Sequence, residues 1–284
     1  MTKTHEIIKV FSKQAITYER AAKVQYEIGE RLFERLHYIK IAPKYILDLG
    51  CGTGVFTKKL ARLYPKAHIV GLDLAHTMLQ QAKRKHSFMR KWSLVRGDIK
   101  HLPFATGLFD LVFSNQVLHW TYPLAPILRE LNRVMKPNAC FMFSTLGPDT
   151  FKELKTAWSG ADTHVHTNEF IDMHDVGDAL MAEHFLEPVV DMETLSVHYP
   201  ALPQLIHSLK EQGVKNINRQ RNPGLTGKKA WHKFAENYAA LVTDGGKYPL
   251  SYEVVYGHAW KGEQRKTDLG IETFIPVSAI KVVK

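Results

Sequence analysis

Cysteine is scarce in this chain, with Cys51 and Cys140 the only two among 284 residues. Two thiols build neither a disulfide framework nor a four-ligand zinc site, so we expect no metal and a reducing compartment. No apolar run approaches the roughly 20 residues of a membrane-spanning helix. The first 13 residues mix Lys, His and Glu with Ile and Val, and so lack the apolar core of a secretory signal. These absences predict a cytoplasmic protein with no membrane partner.

Negative charge is also in short supply, because 38 Lys and Arg residues stand against 28 Asp and Glu residues, a formal net charge of +10. Such an excess favours an anionic partner, and solubility is the simpler explanation. Two basic clusters carry much of the charge, one between residues 83 and 100 and one between residues 210 and 233. Clusters of this kind are more often solvated surface than binding site.

Strand-like and helix-like segments alternate along the first half of the chain. Short apolar runs predict strands at 45–49, 68–72, 92–96, 109–114 and 139–146. Amphipathic spacing predicts helices between them, at 56–63, 75–85 and 124–135. Two later segments, 189–198 and 252–260, also predict strands. This alternation predicts an α/β fold with a doubly wound, mostly parallel sheet.

Helices are predicted before and after that sheet. Phe11, Tyr18 and Gln25 recur every seven residues, so a continuous helix would carry them on one face. They would form a lid that moves, or a wall permanently packed on the sheet. We expect one compact domain. It begins with a helical lid at 1–42, followed by a ligand-binding core at 43–148. The rest of the core, with a helical insertion or cap on the substrate side, occupies 149–262, and a tail follows at 263–284.

The densest motif is a buried strand that runs into Gly50, Gly52 and Gly54 and then into a helix. By itself this is a weak signal, because such a turn occurs in dinucleotide sites and in plain strand–helix connections. Acidic residues sharpen it. Asp48 would repel a pyrophosphate but suits an ammonium or sulfonium, and Asp73 ends the next strand where it can bind ribose hydroxyls. A ligand with an amino acid, a ribose and an adenine is S-adenosylmethionine, and Asp98 after the third strand could accept from the adenine amine.

These motifs together resemble the class I S-adenosylmethionine-dependent methyltransferases. The resemblance covers about residues 40 to 146 and implies a seven-stranded Rossmann-like sheet, S-adenosylmethionine as cofactor and S-adenosylhomocysteine as product. It places Asp48 and Gly50 near the methionine part, Asp73 at the ribose, and Asp98 with Ile99 at the adenine. The cofactor contacts expected are Tyr18, Gln25, Asp48, Gly50, Gly52, Gly54, Asp73, Leu74, Met78, Asp98, Ile99 and Asn115.

Stretches outside that core are similar to one subfamily, the malonyl-acyl-carrier-protein O-methyltransferases of biotin synthesis. They are the N-terminal Phe11, Tyr18 and Gln25, the segment 114–120, the segment 144–154, the segment 208–213 and the segment 246–253. His119 departs from the pattern, because many members carry Gln there and some mitochondrial assembly factors carry His. The resemblance implies methyl transfer to the free carboxylate of a malonyl thioester, and an acidic acyl carrier protein as partner.

That chemistry asks little of the enzyme, because a carboxylate is already an anion at pH 7 and needs no strong base. We expect aromatic and hydroxyl walls instead, with Tyr18, His119, Trp120 and Tyr199 as candidates beside the reacting groups. No base role is assigned to His119. The basic C-terminal segment would recruit the carrier protein through Lys210, Arg219, Arg221, Lys228 and Lys229.

Four other interpretations remain at this point. A non-methylating Rossmann protein would share the glycine turn, and a methyltransferase of quinone or phenol precursors would share the cofactor motifs. An RNA methyltransferase would suit the charge, but we find no RNA-binding module and expect no nucleic acid partner. An assembly factor or hydroxylase could use the same scaffold without methyl transfer.

Overall fold

The structure is a computed structural model that describes residues 3–86, 92–214, 216, 218, 221–222, 224, 226–267 and 270–274. A seven-stranded sheet with the strand order β3-β2-β1-β4-β5-β7-β6 runs through its centre. Its strands are β1 (Tyr45–Leu49), β2 (His68–Asp73), β3 (Ser93–Arg96), β4 (Phe109–Asn115), β5 (Met135–Leu146), β6 (Phe185–Tyr199) and β7 (Tyr248–Lys261). The five strands from β3 to β5 pair in parallel, whereas β7 pairs antiparallel with both β5 and β6. The predicted doubly wound, mostly parallel seven-stranded sheet is therefore confirmed.

Ten α-helices lie in the described ranges and surround the sheet. They are α1 (Lys3–Gln14), α2 (Tyr18–Ala21), α3 (Lys23–Arg35), α4 (Val55–Leu63), α5 (His76–Arg84), α6 (Ala125–Val134), α7 (Lys152–Trp158), α8 (Met173–Ala182), α9 (Leu202–Glu211) and α10 (Lys228–Ala239). Two 3₁₀ helices, Leu36–Tyr38 and Leu118–Trp120, accompany them. In the predicted tail, the strands β8 (Glu263–Thr267) and β9 (Gly270–Phe274) form an antiparallel hairpin, and residues 275–284 lie outside the described ranges.

Both faces of the central strands are buried, which explains their nearly continuous apolar sequence. In β1, Ile46 packs into the core on one face, while Leu47 and Leu49 pack into the core on the other. All three side chains are fully buried. Helices on both sides are therefore required, and the chain supplies them from the segments that alternate with the strands.

The N-terminal helix is not continuous, so that expectation is wrong. The chain leaves the helix at 15–17 and again at Ala22, whose φ of −84° and ψ of 42° are not helical. The break allows Ala15 to bury itself against Ala75 and Met78 at the start of α5. Phe11 and Tyr18 still meet across the break at 15–17, with ring centroids 6.1 Å apart.

Candidate active site

A cleft lies at the carboxyl ends of β1, β2, β3 and β4, where open α/β sheets bind ligands. The space within it, including the part open to solvent, is about 960 Å³. Helix α1 covers it. The lining residues are Thr4, Ile7, Ile8, Phe11, Tyr18, Gly50, Gly52, Asp73, Leu74, Ala75, Met78, Asp98, Ile99, Lys100, Asn115, Gln116, Val117, Trp120, Thr121 and Tyr122. Below, this is called the cofactor cleft.

The glycine turn after β1 has the backbone conformation that its sequence predicts. Gly50 and Gly52 have φ values of +73° and +52°, in the left-handed region that favours glycine. A Cβ on Gly50 would lie 2.3 Å from the Val117 side chain, so this position tolerates no larger residue. A Cβ on Gly52 would meet nothing within 4 Å, which shows that the backbone here borders open space. A ligand can therefore approach the turn closely.

Asp73 ends β2 inside the cleft, with its carboxylate fixed by the backbone. Oδ2 accepts a hydrogen bond from the Gly52 amide at 2.9 Å, and Oδ1 accepts one from the Ala75 amide at 2.8 Å. Burial raises the pKa of Asp73 to about 6, although these amides act in the opposite direction. Each carboxylate oxygen has a second lone pair, so the fixed group fits a ribose diol.

The third acidic residue stands at the far end of the cleft. Asp98 follows β3, and its Oδ1 accepts a hydrogen bond from the Lys100 amide at 3.0 Å. Ile99, Leu74 and Met78 give the same end apolar walls. A carboxylate among apolar lining residues fits an adenine ring with its exocyclic amine.

Nine of the twelve expected cofactor contacts line the cleft, and Gln25, Asp48 and Gly54 do not. Asp48 lies beneath the glycine turn at 2% exposure and accepts a hydrogen bond from Thr57 Oγ1 at 2.5 Å. Burial raises the pKa of Asp48 to about 7. Gly54 opens α4, and a Cβ there would lie 2.8 Å from Ala82 Cβ, so its smallness serves helix packing.

A second cavity lies beside the first, and the space within it, including the part open to solvent, is about 440 Å³. Phe11, Tyr18, Gln116 and Trp120 line both. The lining residues are Phe11, Tyr18, Gln25, Gln116, His119, Trp120, Leu146, Phe151, Asn168, Phe170, Gln212, Val214 and Tyr252. Below, this is called the inner cavity. Because it adjoins the cofactor cleft through Tyr18 and Trp120, an acceptor placed in it would lie next to the cofactor.

Four residues are expected beside the reacting groups, and three of them line the inner cavity: Tyr18, His119 and Trp120. Burial, reinforced by Asp73, raises the pKa of Tyr18 to about 12, and burial lowers that of His119 to about 3. Both groups are therefore neutral at pH 7. The fourth, Tyr199, lies elsewhere: it lines neither cavity, and its hydroxyl lies 3.0 Å from the Ser208 hydroxyl.

The candidate carrier-protein residues differ in their surroundings. Lys210, Lys228 and Lys229 are exposed. Arg221 binds Glu6 of α1 through two nitrogen–oxygen contacts of 3.1 Å, so it ties the segment between α9 and α10 to the helix over the cleft. Arg219 lies outside the described residues.

Sequence reasoning missed part of the lining. Thr4, Ile7 and Ile8 of α1 cover the cofactor cleft, and the apolar spacing of Ile7, Ile8 and Phe11 is the signal that marks their shared helical face. Gln116 has a left-handed φ of 60°, and its backbone N–H donates a hydrogen bond to Ser144 Oγ at 3.1 Å. That conformation has no signature in the sequence.

Two features are absent from the described ranges. No helix there has the length and apolarity to span a bilayer. No group of three or more His, Cys, Asp or Glu side chains there is arranged to hold a metal ion.

Comparison with known proteins shows full-length relatives. Residues 47–143 match the family of the methyltransferase domain. The chain is 64% identical over 280 residues to the malonyl-[acyl-carrier protein] O-methyltransferase of Legionella pneumophila, with 99% of each chain covered. It is 44% identical over 263 residues to the protein of the same name from Gallionella capsiferriformans, with 90% of each covered.

Solved structures show the same fold at low identity. The YcgJ protein of Bacillus subtilis aligns with a TM-score of 0.59 at 13% identity, over 82% of this chain and 98% of that one. A SAM-dependent methyltransferase of Archaeoglobus fulgidus aligns with a TM-score of 0.52 at 15% identity, over 87% and 98%.

Proposed function

The chain belongs to the malonyl-[acyl-carrier protein] O-methyltransferases, and from this premise we propose its reaction. It transfers the methyl group of S-adenosylmethionine to the free carboxylate of a malonyl thioester carried on acyl carrier protein. The methyl ester then primes pimeloyl synthesis for biotin. The observation that carries the proposal is the 64% identity to a protein of that name over 99% of both chains.

The cofactor cleft fits S-adenosylmethionine on three features of its own residues. The open backbone at Gly52 leaves room for the methionine part, and the fixed carboxylate of Asp73 suits the ribose. The apolar lining beside Asp98 suits the adenine. When bound, the cofactor supplies an electrophilic methyl group on a sulfonium.

The protein has few chemical tasks in this displacement. A carboxylate oxygen forms a bond to the methyl carbon as the sulfur–carbon bond breaks, and no proton moves. The residues of the inner cavity need only align the carboxylate and exclude water. The pKa of His119, lowered by burial to about 3, makes its ring a very weak base, which is consistent with a reaction that uses none. Phe11 and Trp120, whose ring centroids lie 5.3 Å apart, form part of the wall between the two cavities.

The exposed lysines of the cap are the proposed docking site for the carrier protein. Lys228 and Lys229 stand in the first turn of α10, and that turn contains no acidic residue. Cations there oppose the helix dipole, so they do not serve the stability of the helix. They are free to attract an acidic partner, together with Lys210 at the end of α9.

The reaction is tested with the purified full chain, S-adenosylmethionine and malonyl-acyl carrier protein. We expect a carrier protein heavier by one CH₂, with the new methyl group released as methanol on mild alkaline hydrolysis. Acetyl-acyl carrier protein is the matched control, because it lacks the free carboxylate. Methylation of a quinone or phenol precursor instead, or binding of the cofactor without any transfer, would overturn the proposal.

A further inference from the structure

The inner cavity is lined by neutral side chains alone, among the residues that the structure describes. The nearby cation Lys155 stands behind one wall, with Nζ 6.0 Å from the centroid of the Phe170 ring. Its ammonium group is already engaged, because it donates to the Pro148 carbonyl and interacts with Asp149 and Glu253. A carboxylate in this cavity would therefore meet no fixed positive charge from the described lining.

Hydrogen-bond donors are nevertheless present. Tyr18 offers a hydroxyl, and its raised pKa keeps that hydroxyl protonated. His119 offers the ring nitrogen Nδ1, which is buried and has no hydrogen-bond partner in the described part of the chain. It donates in the tautomer that carries the ring proton there. Buried polar atoms are seldom left unpaired in folded proteins, so an orphaned ring nitrogen in a cavity wall points to a ligand atom that pairs with it.

The change in charge during the reaction explains why a neutral cavity favours methyl transfer. The carboxylate is an anion and the donor is a sulfonium cation, while the ester and the thioether produced are both neutral. Charge disappears along the reaction, so a surrounding of low polarity disfavours the separated ions more than the transition state. A fixed Arg or Lys beside the carboxylate would stabilise the starting anion and oppose the transfer.

We propose that the inner cavity holds the malonyl carboxylate through the neutral donors of Tyr18 and His119, with the sulfonium of the donor as its counter-charge. The acceptor then binds well only when a cationic donor already fills the cofactor cleft. This inference rests on the proposed function and adds to it the mode of acceptor recognition and the order of binding.

The test is calorimetry on the intact chain with malonyl-pantetheine as the probe. The cleft is first saturated with neutral S-adenosylhomocysteine, or with the cationic analogue sinefungin, in which an amine-bearing carbon replaces the methylated sulfur. We expect malonyl-pantetheine to bind about tenfold more tightly, or better, in the presence of sinefungin. The methyl ester of the same probe is neutral and should show no such preference. Equal affinity of malonyl-pantetheine in both states would overturn the inference.

Variants test whether the neutral donor His119 or the cation Lys155 binds the acceptor. His119→Leu removes the ring nitrogens and should weaken malonyl-pantetheine binding severalfold, without changing the affinity for S-adenosylhomocysteine. His119→Asn keeps an N–H near the position of Nδ1 and should restore much of the acceptor affinity, and its thermal melt checks the fold. Lys155→Met should leave acceptor binding unchanged. The inference fails if His119→Leu binds the probe normally or if Lys155→Met loses it.

Failure of this inference is distinguishable from failure of the proposed function. A chain that methylates malonyl-acyl carrier protein but binds malonyl-pantetheine equally well with either cofactor analogue refutes only the counter-charge. A chain that never methylates a malonyl thioester refutes the function, whatever the calorimetry shows.

Discussion

The guanidinium of Arg221 holds the carboxylate of Glu6, with Nη1 3.1 Å from Oε2 and Nη2 3.1 Å from Oε1. This paired geometry is the strong form of an arginine–carboxylate contact. It joins the segment between α9 and α10 to α1, the helix that covers the cofactor cleft. A second contact joins α1 to α9, because Gln14 Nε2 donates a hydrogen bond to the Lys210 carbonyl at 2.5 Å. The cover of the cleft is thus fastened by the segment that is proposed to receive the carrier protein.

Arg221→Gln should loosen that cover. We expect faster hydrogen exchange in α1 and a severalfold weaker affinity for S-adenosylhomocysteine, because Ile7, Ile8 and Phe11 then shield the ligand less. The matched control is Arg20→Gln, which breaks an exposed ion pair to Glu211 with a separation of 3.8 Å and should change neither quantity. Unaltered exchange and affinity in Arg221→Gln would show that apolar packing alone holds α1.

Arg221 also illustrates where sequence reasoning reaches its limit. Its basic neighbourhood predicts a charged surface, because composition reports charge. Its partner Glu6 is 215 positions away, and no local pattern links the two. The inner cavity has the same character, since residues as distant as Tyr18, His119 and Tyr252 meet there only through tertiary packing.

The cofactor cleft was more predictable because its signals are local. A buried strand, a glycine turn and a helix are consecutive in the chain, and Asp73 follows after one strand–helix unit. Parallel strands then bring their carboxyl ends to one edge of the sheet. Asp48 shows that a local motif does not determine every contact. It lies in the same motif, yet the pleat of β1 directs its side chain under the turn, where it accepts a hydrogen bond from Thr57. Proximity in sequence predicted the neighbourhood but not the contact.

Asp73→Asn should weaken cofactor binding. The substitution removes one fixed acceptor from the cleft, and lost hydrogen bonds to a charged group cost about 1–3 kcal/mol. Calorimetry with S-adenosylhomocysteine measures the change. Asp110→Asn is the control, because Asp110 accepts from the Lys44 and Tyr45 amides outside the cleft; it should cost stability and leave the affinity intact. Unchanged affinity in Asp73→Asn would remove the ribose assignment.

Asp48→Asn should change the pH dependence of folding. The folded pKa of Asp48 is about 7 against an ordinary 3.8, because burial disfavours the charged form. The folded chain therefore binds more protons than the unfolded chain between about pH 4 and pH 7, and this carboxyl lowers stability as the pH rises through that window. Asparagine carries no charge, so the variant avoids this loss of folding stability, which is at most about 4 kcal/mol for a pKa shift of this size.

Denaturant unfolding of the ligand-free chain at pH 4 and pH 8 measures that effect. Asp48→Asn should gain stability over the parent at pH 8 and match it more closely at pH 4. Asp110→Asn should instead cost stability at both pH values. Despite partial burial, Lys136 and two backbone amides hold the pKa of Asp110 below its ordinary 3.8, so its contribution is lost only as the pH falls below about 4. Parallel stability curves for Asp48→Asn and the parent would refute the buried-charge account.

Charge reversal on α10 tests the docking surface. Lys228→Glu with Lys229→Glu should lower kcat/KM for malonyl-acyl carrier protein severalfold, because exposed charges steer an acidic partner. Malonyl-pantetheine has no acidic protein to steer, so its kcat/KM should stay nearly constant, and added salt should shrink the difference. The matched control is Lys40→Glu with Lys66→Glu, which changes the net charge equally on exposed residues that precede β1 and β2, at the edge of the sheet away from the cleft. Equal losses in both double variants would mean that net charge, rather than a docking site on α10, governs the encounter.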